Sequence, residues 1–306
     1  MPRAKLQITF IGGGTMTCAI LDGLTHSTSA SSSAAQTSNY EYALSILVRR
    51  PEHAVELGER YSSAYITCDA LDSRLWHTAE ESLVEGHIIL ICTKPQDTRE
   101  VCETICNAYN AAPTPAVLPT IATMCPGITA ATLTSWLGPP RGFHIPFPVV
   151  RTMPNTPVSV GQGATAMFAP PQTGKLELQR LIEFFRVVSP CVEVLEEESL
   201  LDVAAAVSGS GPAYLFAMYR ALVAAGVEWG LSEHAARAMV GQTAVGAGIL
   251  TTNKREISLS AMIGNVCVPG GSTEKGIRVL SDRGLPEAVM EAVGKSLEAN
   301  HRMKQS

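Results

Sequence analysis

The chain has 306 residues, of which 46% are hydrophobic, and its formal net charge is −5. This composition supplies a sizeable buried core, excludes an intrinsically disordered protein, and at about 100–200 residues per domain predicts two domains. Charges of both signs are scattered along the chain, so it has no basic stripe for a nucleic-acid backbone or an anionic membrane surface. We expect small-molecule partners, with no nucleic acid and no membrane among them.

The eight cysteines form no CxxC pair and have no histidines at zinc-site spacing. They are therefore interpreted as reduced, mostly buried thiols, and no metal site is expected. The apolar stretch at residues 6–11 is too short for a signal peptide, and no apolar run approaches the roughly 18 residues of a membrane span. A cytoplasmic protein is expected.

The first part of the chain has the pattern of repeated βα units. Helices are predicted at residues 16–24, 52–60 and 175–188. Strands are predicted at residues 6–11, 43–48, 87–93, 116–123, 142–153, 163–168 and 191–195. Residues 26–39 are rich in Ser, Thr and Ala without periodicity, and we interpret them as a solvated insert. Residues 1–198 are thus predicted to be an α/β, Rossmann-like, doubly wound dinucleotide-binding domain.

Residues 199–306 are rich in Ala, Leu, Met and Gly and predict an all-α domain. Its helices are expected at residues 199–230, 232–252, 258–266 and 273–302. A domain this apolar is expected to bury part of its surface against another subunit, as a dimerisation and substrate domain.

A glycine turn follows the first predicted strand and opens the first helix. Gly12 and Gly14 fill two positions of the dinucleotide fingerprint, which brings backbone amides and a helix N-terminus to a pyrophosphate. Thr17 occupies the third position, so either the helix sits further from the strand or the hydroxyl is accommodated. An ordinary glycine-rich turn is the alternative for the motif taken alone.

The end of the second predicted strand indicates which cofactor binds. NAD sites place a carboxylate there for the ribose 2′-hydroxyl, whereas this strand ends in Arg49 and Arg50 with no acidic residue. Two cations suit a 2′-phosphate, so NADPH is predicted in preference to NADH. The alternative is two solvated surface cations.

Four further segments are too polar to be core yet specific in their order: residues 93–96, 151–157, 208–214 and 269–273. Together they resemble the pyrroline-5-carboxylate reductase family, which reduces a cyclic imine with NAD(P)H at the end of proline biosynthesis. The resemblance runs from residue 11 to about 280, apart from the insert. It implies an oxidoreductase acting on a CH–NH bond, and a homo-oligomer that is a dimer or a ring of dimers.

The resemblance also implies functional residues. The cofactor-binding residues it implies are Gly12, Gly14, Thr15, Met16, Thr93, Lys94, Pro95 and Asn155, besides Arg49 and Arg50. The substrate-binding residues are Ser210, Gly270, Gly271, Ser272 and Thr273. The amides of Gly270, Gly271 and Ser272 are expected to form a nest for the substrate carboxylate. Thr273, the catalytic residue, would place its hydroxyl near the imine nitrogen; the alternative is that Ser272 or Thr273 only caps a helix.

The sequence departs from the family pattern at two places. Val268 replaces a serine of the substrate loop, which removes a hydrogen bond of about 1.5–3 kcal/mol unless another donor compensates. The family's Asn-Met-Gly in the cofactor turn is Thr15-Met16-Thr17 here. A six-membered or substituted cyclic imine, reduced by a specialised homologue of fungal type, therefore stays open as the substrate. A hydroxyacid-type dehydrogenase and a non-catalytic NADP(H)-binding sensor stay open as well.

Overall fold

The computed structural model describes residues 3–29, 38–76, 84–111 and 118–303. The chain divides into two compact units, one made of Met1–Gly209 with Leu297–Ser306 and the other of Ser210–Ser296. The domain boundary at residues 198 and 199 stays a prediction.

The first unit contains an eight-stranded sheet in the order β3-β2-β1-β4-β5-β6-β7-β8. Its strands are β1 Ala4–Ile11, β2 Tyr40–Leu47, β3 Tyr65–Thr67, β4 Val84–Ile91, β5 Thr120–Thr123, β6 Val149–Pro154, β7 Ala164–Phe168 and β8 Cys191–Val194. All neighbouring strands are parallel except β6 and β7. The central strand β1 therefore ends between β2 and β4.

Helices cover both faces of this sheet. They are α1 Thr15–Ser29, α2 Pro51–Arg60, α3 Thr98–Ala111, α4 Ala130–Leu137, α5 Lys175–Arg186 and α6 Leu200–Ala204. On β4, Ile88 and Leu90 pack with α1 and α5, whereas Ile89 and Ile91 pack with α3 and α4. Successive strand residues point to opposite faces, so an unbroken apolar run is what a doubly covered strand requires. The predicted Rossmann-like doubly wound fold is confirmed.

Several predicted bounds were wrong. Residues 26–29 are not loop but the last turn of α1, where the buried Ser27 hydroxyl donates to the Val187 carbonyl at 3.1 Å. Residues 30–37 of the predicted insert lie outside the described residues. The strand predicted at 142–153 is shortened to β6, because Pro146 and Pro148 remove backbone donors.

The second unit is helical. It holds α7 Gly211–Glu228, α8 Glu233–Asn253, α9 Leu259–Val266, α10 Ser272–Asp282 and most of α11 Leu285–Met303. The helix predicted at 273–302 is broken at Gly284, which has a φ of +76°. The helix predicted at 199–230 is divided into α6, a π-helical turn Ala205–Gly209 and α7. The all-α prediction for this part of the chain is confirmed.

The helical unit exposes most of its apolar side chains. Among residues 210–296, all of which are described, Ala236 is the one buried residue, while Phe216 and Met239 are more than half exposed. Of the described part of the chain, one helical stretch, Leu200–Glu228, is long and apolar enough to cross a membrane by length and composition. This stretch is not an uninterrupted apolar run, because it contains Asp202 and Arg220.

Candidate functional site

A crevice of about 790 Å³ opens at the carboxyl ends of β1, β2 and β4. Open α/β sheets bind their ligands at this edge, where helix N-termini and loops converge. Its lining includes the glycine turn after β1, the two arginines after β2, and Thr93, Lys94 and Asp97 after β4, whereas Pro95 does not belong to it. The sheet order therefore brings together three of the segments that the sequence assigned to the cofactor.

The three glycines of the turn have different reasons to lack a side chain. Gly12 has a φ of +107°, and a Cβ built on it would lie 2.9 Å from the Cys92 carbonyl oxygen. A Cβ on Gly13 would lie 2.6 Å from the Leu57 side chain. On Gly14, by contrast, a Cβ would meet no protein atom within 4 Å. Gly14 thus leaves open space in the crevice, as a turn that cradles a phosphate requires.

Thr17 resolves the question raised by its place in the fingerprint. Its side chain is fully buried, and its hydroxyl donates to the Gly12 carbonyl oxygen at 2.7 Å. The hydroxyl is therefore accommodated by tying the first turn of α1 to the glycine turn. Two neighbouring residues, Thr15 and Met16, were predicted to bind the cofactor. Thr15 is exposed, and Met16 is partly buried against the core.

The two arginines lie at the crevice but differ in their partners. Arg49 forms a forked ion pair with Asp97, with NH1–Oδ1 and NH2–Oδ2 distances of 3.4 and 3.3 Å. Arg50 is exposed, and within the described ranges no side chain bonds to its guanidinium. An exposed cation is available to an incoming anion, whereas Arg49 has to exchange one partner for another.

The segment after β4 contributes an unusual hydroxyl. Thr93 Oγ1 is buried and has no hydrogen-bond partner among the described residues. A buried hydroxyl without a partner costs free energy, although the residue itself belongs to the crevice lining. Lys94 is exposed, and Pro95 begins a 3₁₀ turn that ends at Asp97.

Asn155 does not line this crevice, although the sequence assigned it to the cofactor. Its Oδ1 accepts from the Ala164 amide at 2.9 Å, and its Nδ2 donates to the Ser208 carbonyl at 3.2 Å. Both ends of the amide are thus engaged within the first unit. The Nδ2 bond ties β6 to the π-helical turn Ala205–Gly209. Contact of Asn155 with a cofactor stays a prediction.

Two thiols of the first unit, at Cys92 and Cys102, are poor candidates for nucleophiles. Burial raises the pKa of Cys92 well above its usual range and raises the pKa of Cys102 to about 12. Thiols with raised pKa values are poor nucleophiles at neutral pH. Among the described residues no group of three His, Cys, Asp or Glu side chains is placed to hold a metal ion.

In the second unit, the loop that the sequence predicts to bind the substrate precedes α10, and its amides are partly engaged. The Gly271 amide donates to the Val268 carbonyl at 2.8 Å, and the Gly270 amide donates to Glu274 Oε2 at 2.8 Å. Two of the three amides expected to form an anion nest therefore already have acceptors. An incoming carboxylate would have to replace that of Glu274 at Gly270.

The hydroxyls of this loop are exposed. Gly271 is the N-cap of α10, and no side chain donates or accepts there, so neither Ser272 nor Thr273 caps the helix. Thr273 is exposed in the first turn, as a group that meets a ligand has to be. Ser210, the other predicted substrate residue, shares a hydrogen bond of 3.0 Å with Ser296.

Sequence reasoning missed two carboxylates, those of Asp97 and Glu274. Each holds a group that the sequence assigned to an anionic part of a ligand, Arg49 in one case and the Gly270 amide in the other. Glu274 could have been found, because a glutamate three residues after a helix N-cap commonly bonds back to a preceding amide. Asp97 had no such signal, since its partner lies 48 residues away.

Two protein families match this chain. One, described as pyrroline-5-carboxylate reductase dimerisation, matches residues 198–303. The other, described as NADP oxidoreductase, coenzyme F420-dependent, matches residues 7–114, which include the glycine turn, both arginines and the segment after β4.

Individual proteins are similar over nearly the full length. A delta-1-pyrroline-5-carboxylate reductase, apf3, of Gibberella fujikuroi is 40% identical over 299 residues, which cover 96% of this chain and 95% of that protein. The pyrroline-5-carboxylate reductase of Pseudomonas aeruginosa is 29% identical, over 94% of this chain and 93% of that protein. A solved pyrroline-5-carboxylate reductase structure from Coxiella burnetii is 26% identical, has a TM-score of 0.77 and matches 98% of both chains.

Proposed function

This chain belongs to the pyrroline-5-carboxylate reductase family, and we propose that it reduces the C=N bond of 1-pyrroline-5-carboxylate to give L-proline, with NADPH as the cofactor. The comparisons confirm the family resemblance that the four polar segments indicated. The observation that most supports this activity is the nearly full-length similarity to a delta-1-pyrroline-5-carboxylate reductase at 40% identity. The crevice with its glycine turn and exposed cations supports the cofactor.

The residues of the crevice fit NADPH. Gly14 leaves a face that a Cβ would fill. Arg49 and Arg50 supply positive charge for a 2′-phosphate at the end of β2. When bound, the cofactor supplies a hydride. The chain's own part is to hold the two reactants in register, to exclude water and to bind the substrate carboxylate.

Thr273 and the loop before it are proposed to orient the imine. A protonated cyclic imine is electrophilic at carbon without further activation, so a hydroxyl that donates or accepts one hydrogen bond is sufficient. Gly270, Gly271 and Ser272 would receive the carboxylate through their amides, and Ser210 would contribute its hydroxyl. No acid or base with a shifted pKa is required for this role.

The test follows NADPH oxidation at 340 nm with 1-pyrroline-5-carboxylate and compares NADH at the same concentration. Turnover with NADPH preferred at least tenfold is expected. A preference of tenfold for NADH would contradict the role given to Arg49 and Arg50. Thr273→Ala is expected to lower kcat/KM by at least tenfold, because one oriented hydrogen bond to the reacting group is lost, and Thr273→Ser should restore most of it.

A second candidate is the reduction of a six-membered or substituted cyclic imine. Val268 in place of a hydroxyl residue and the Glu274 carboxylate at the Gly270 amide both favour it, because they change the chemistry of the loop that would receive the substrate. The six-membered homologue, assayed in parallel, separates the two substrates by kcat/KM. Cofactor binding without turnover of either imine would support a non-catalytic sensor.

We further propose a cytoplasmic homodimer formed through the helical unit, with rings of dimers as a higher assembly and no nucleic-acid or membrane partner. The many exposed apolar side chains of this unit support self-association, since clustered apolar surface on a soluble protein commonly marks an interface. The apolar stretch Leu200–Glu228 is explained in the same way. Light scattering at micromolar concentration measures the assembly, and a monomer would contradict it.

A further inference from the structure

We propose that Asp97 is a specificity-determining residue of the cofactor crevice. Its carboxylate competes with the cofactor's 2′-phosphate for the guanidinium of Arg49, and it thereby lowers the preference for NADPH over NADH. This inference rests on the proposed function, in which NADPH is the cofactor.

The sheet order places the ion pair across the crevice. Arg49 follows β2, Asp97 lies in the turn after β4, and β1 with its glycine turn lies between these strands. Two strand spacings separate β2 from β4, which is about 10 Å. Arg49 and Asp97 both line the crevice, so the pair spans the end of β1 beside Gly12. Arg49 is therefore held towards the opposite wall by a group that belongs to the protein.

The ion pair is weak enough to be exchanged. Its N–O distances of 3.3 and 3.4 Å exceed the roughly 2.7–2.9 Å of strong charge-assisted hydrogen bonds. The Arg49 side chain is 80% exposed, and pairs of this kind contribute little because water screens them. A phosphate with three acceptor oxygens is the better partner for the same guanidinium, so it can displace Asp97.

The competition acts on one class of ligand. A ligand without a 2′-phosphate gains nothing from either state of Arg49, so its affinity does not depend on Asp97. A ligand with that phosphate has to break the pair and then lies near the Asp97 charge. Arg50, which has no bonded partner among the described residues, follows the same strand as Arg49 and is not subject to this competition.

A structural role for Asp97 has to be separated from this one. Asp97 directly precedes Thr98, the first residue of α3, where a carboxylate stabilises the helix N-terminus. Asparagine is an equally good residue at such a position, so Asp97→Asn removes the charge and keeps the local structure. Glu100 provides a matched control, because Glu100→Gln removes the same charge from the first turn of α3 and from the same crevice lining.

The experiment measures binding by calorimetry with two cofactor fragments, 2′,5′-ADP and 5′-AMP, on the full chain. Asp97→Asn is expected to raise the affinity for 2′,5′-ADP about two- to fivefold, which corresponds to the contribution of an exposed ion pair. The affinity for 5′-AMP should change by less than a factor of about 1.5. Arg49→Gln is expected to lower the affinity for 2′,5′-ADP about tenfold. In the double variant the gain from Asp97→Asn should disappear, because the competition has no target.

Each other outcome overturns a specific statement. If wild-type protein binds 2′,5′-ADP no better than 5′-AMP, the NADPH proposal fails and this inference fails with it. If wild-type protein prefers 2′,5′-ADP but Asp97→Asn leaves its affinity unchanged, only this inference fails. If Asp97→Asn raised the affinity for both fragments equally, Asp97 would have a steric role. If Glu100→Gln raised the affinity for 2′,5′-ADP as much as Asp97→Asn does, the effect would come from the overall negative charge of the crevice and not from competition for Arg49.

Discussion

The glycine turn at Gly12 and the loop at Gly270 both bring backbone amides to a helix N-terminus, yet they differ in what surrounds them. The turn is built on strands whose core residues are fully buried, and at Gly14 it leaves open space. The loop lies in a unit with little buried surface, and its Gly270 amide is held by Glu274. The turn therefore leaves space open at Gly14, whereas the amide at Gly270 already has an internal partner.

The largest expected effect would test whether the turn is preformed. Gly14→Ala should weaken NADPH binding at least tenfold, because its Cβ would fill the face left for the ligand, and should change stability by less than about 1 kcal/mol. Binding titrations and thermal unfolding measure the two effects. Unchanged affinity in Gly14→Ala would mean that this face meets no ligand.

Gly12→Ala is the matched control for that change. It should lose about 1–3 kcal/mol of stability, because its φ of +107° and the Cys92 carbonyl oxygen both oppose a side chain. A loss of stability in Gly12→Ala without one in Gly14→Ala separates the shape of the turn from its contact with the ligand.

A smaller effect would test the internal partner of the loop. Glu274→Ala should lower the KM for the imine up to fivefold, about 1 kcal/mol, because it frees the Gly270 amide for the substrate carboxylate. Glu287→Ala, in the first turn of α11, is the control with the same charge change. A higher KM in Glu274→Ala would mean that the carboxylate organises the loop for the substrate and does not compete with it.

The smallest effect concerns the altered fingerprint position. Thr17→Val should cost about 0.5–1.5 kcal/mol of stability, because the Gly12 carbonyl loses the hydrogen bond from the buried Thr17 hydroxyl. NADPH affinity should stay within a factor of two, since the hydroxyl points to the protein, and Thr17→Ser should keep the bond. Chemical denaturation measures the stability. A large loss of affinity in Thr17→Val at unchanged stability would contradict the structural role.

Local patterns in the sequence determined the architecture. The apolar run of β4 predicted a doubly covered strand, the glycine turn predicted the strand-to-helix connection, and the composition after residue 199 predicted the helical part. These features depend on backbone preferences and on periodicity, which a few neighbouring residues carry. Two helices, α3 and α4, and the strand β3 were missed; α4 and β3 have only eight and three residues, too few for a periodic pattern to be evident.

Tertiary structure decided the partners of the site residues. Asn155 bonds to Ser208, and Arg49 bonds to Asp97, over sequence separations of 53 and 48 residues. The end of α1 is fixed by Ser27 and Val187, which are 160 residues apart. Such contacts depend on the order of strands in the sheet and on which helix covers which face. The sequence determined which groups are present, and the packing of distant segments decided which of them are already occupied.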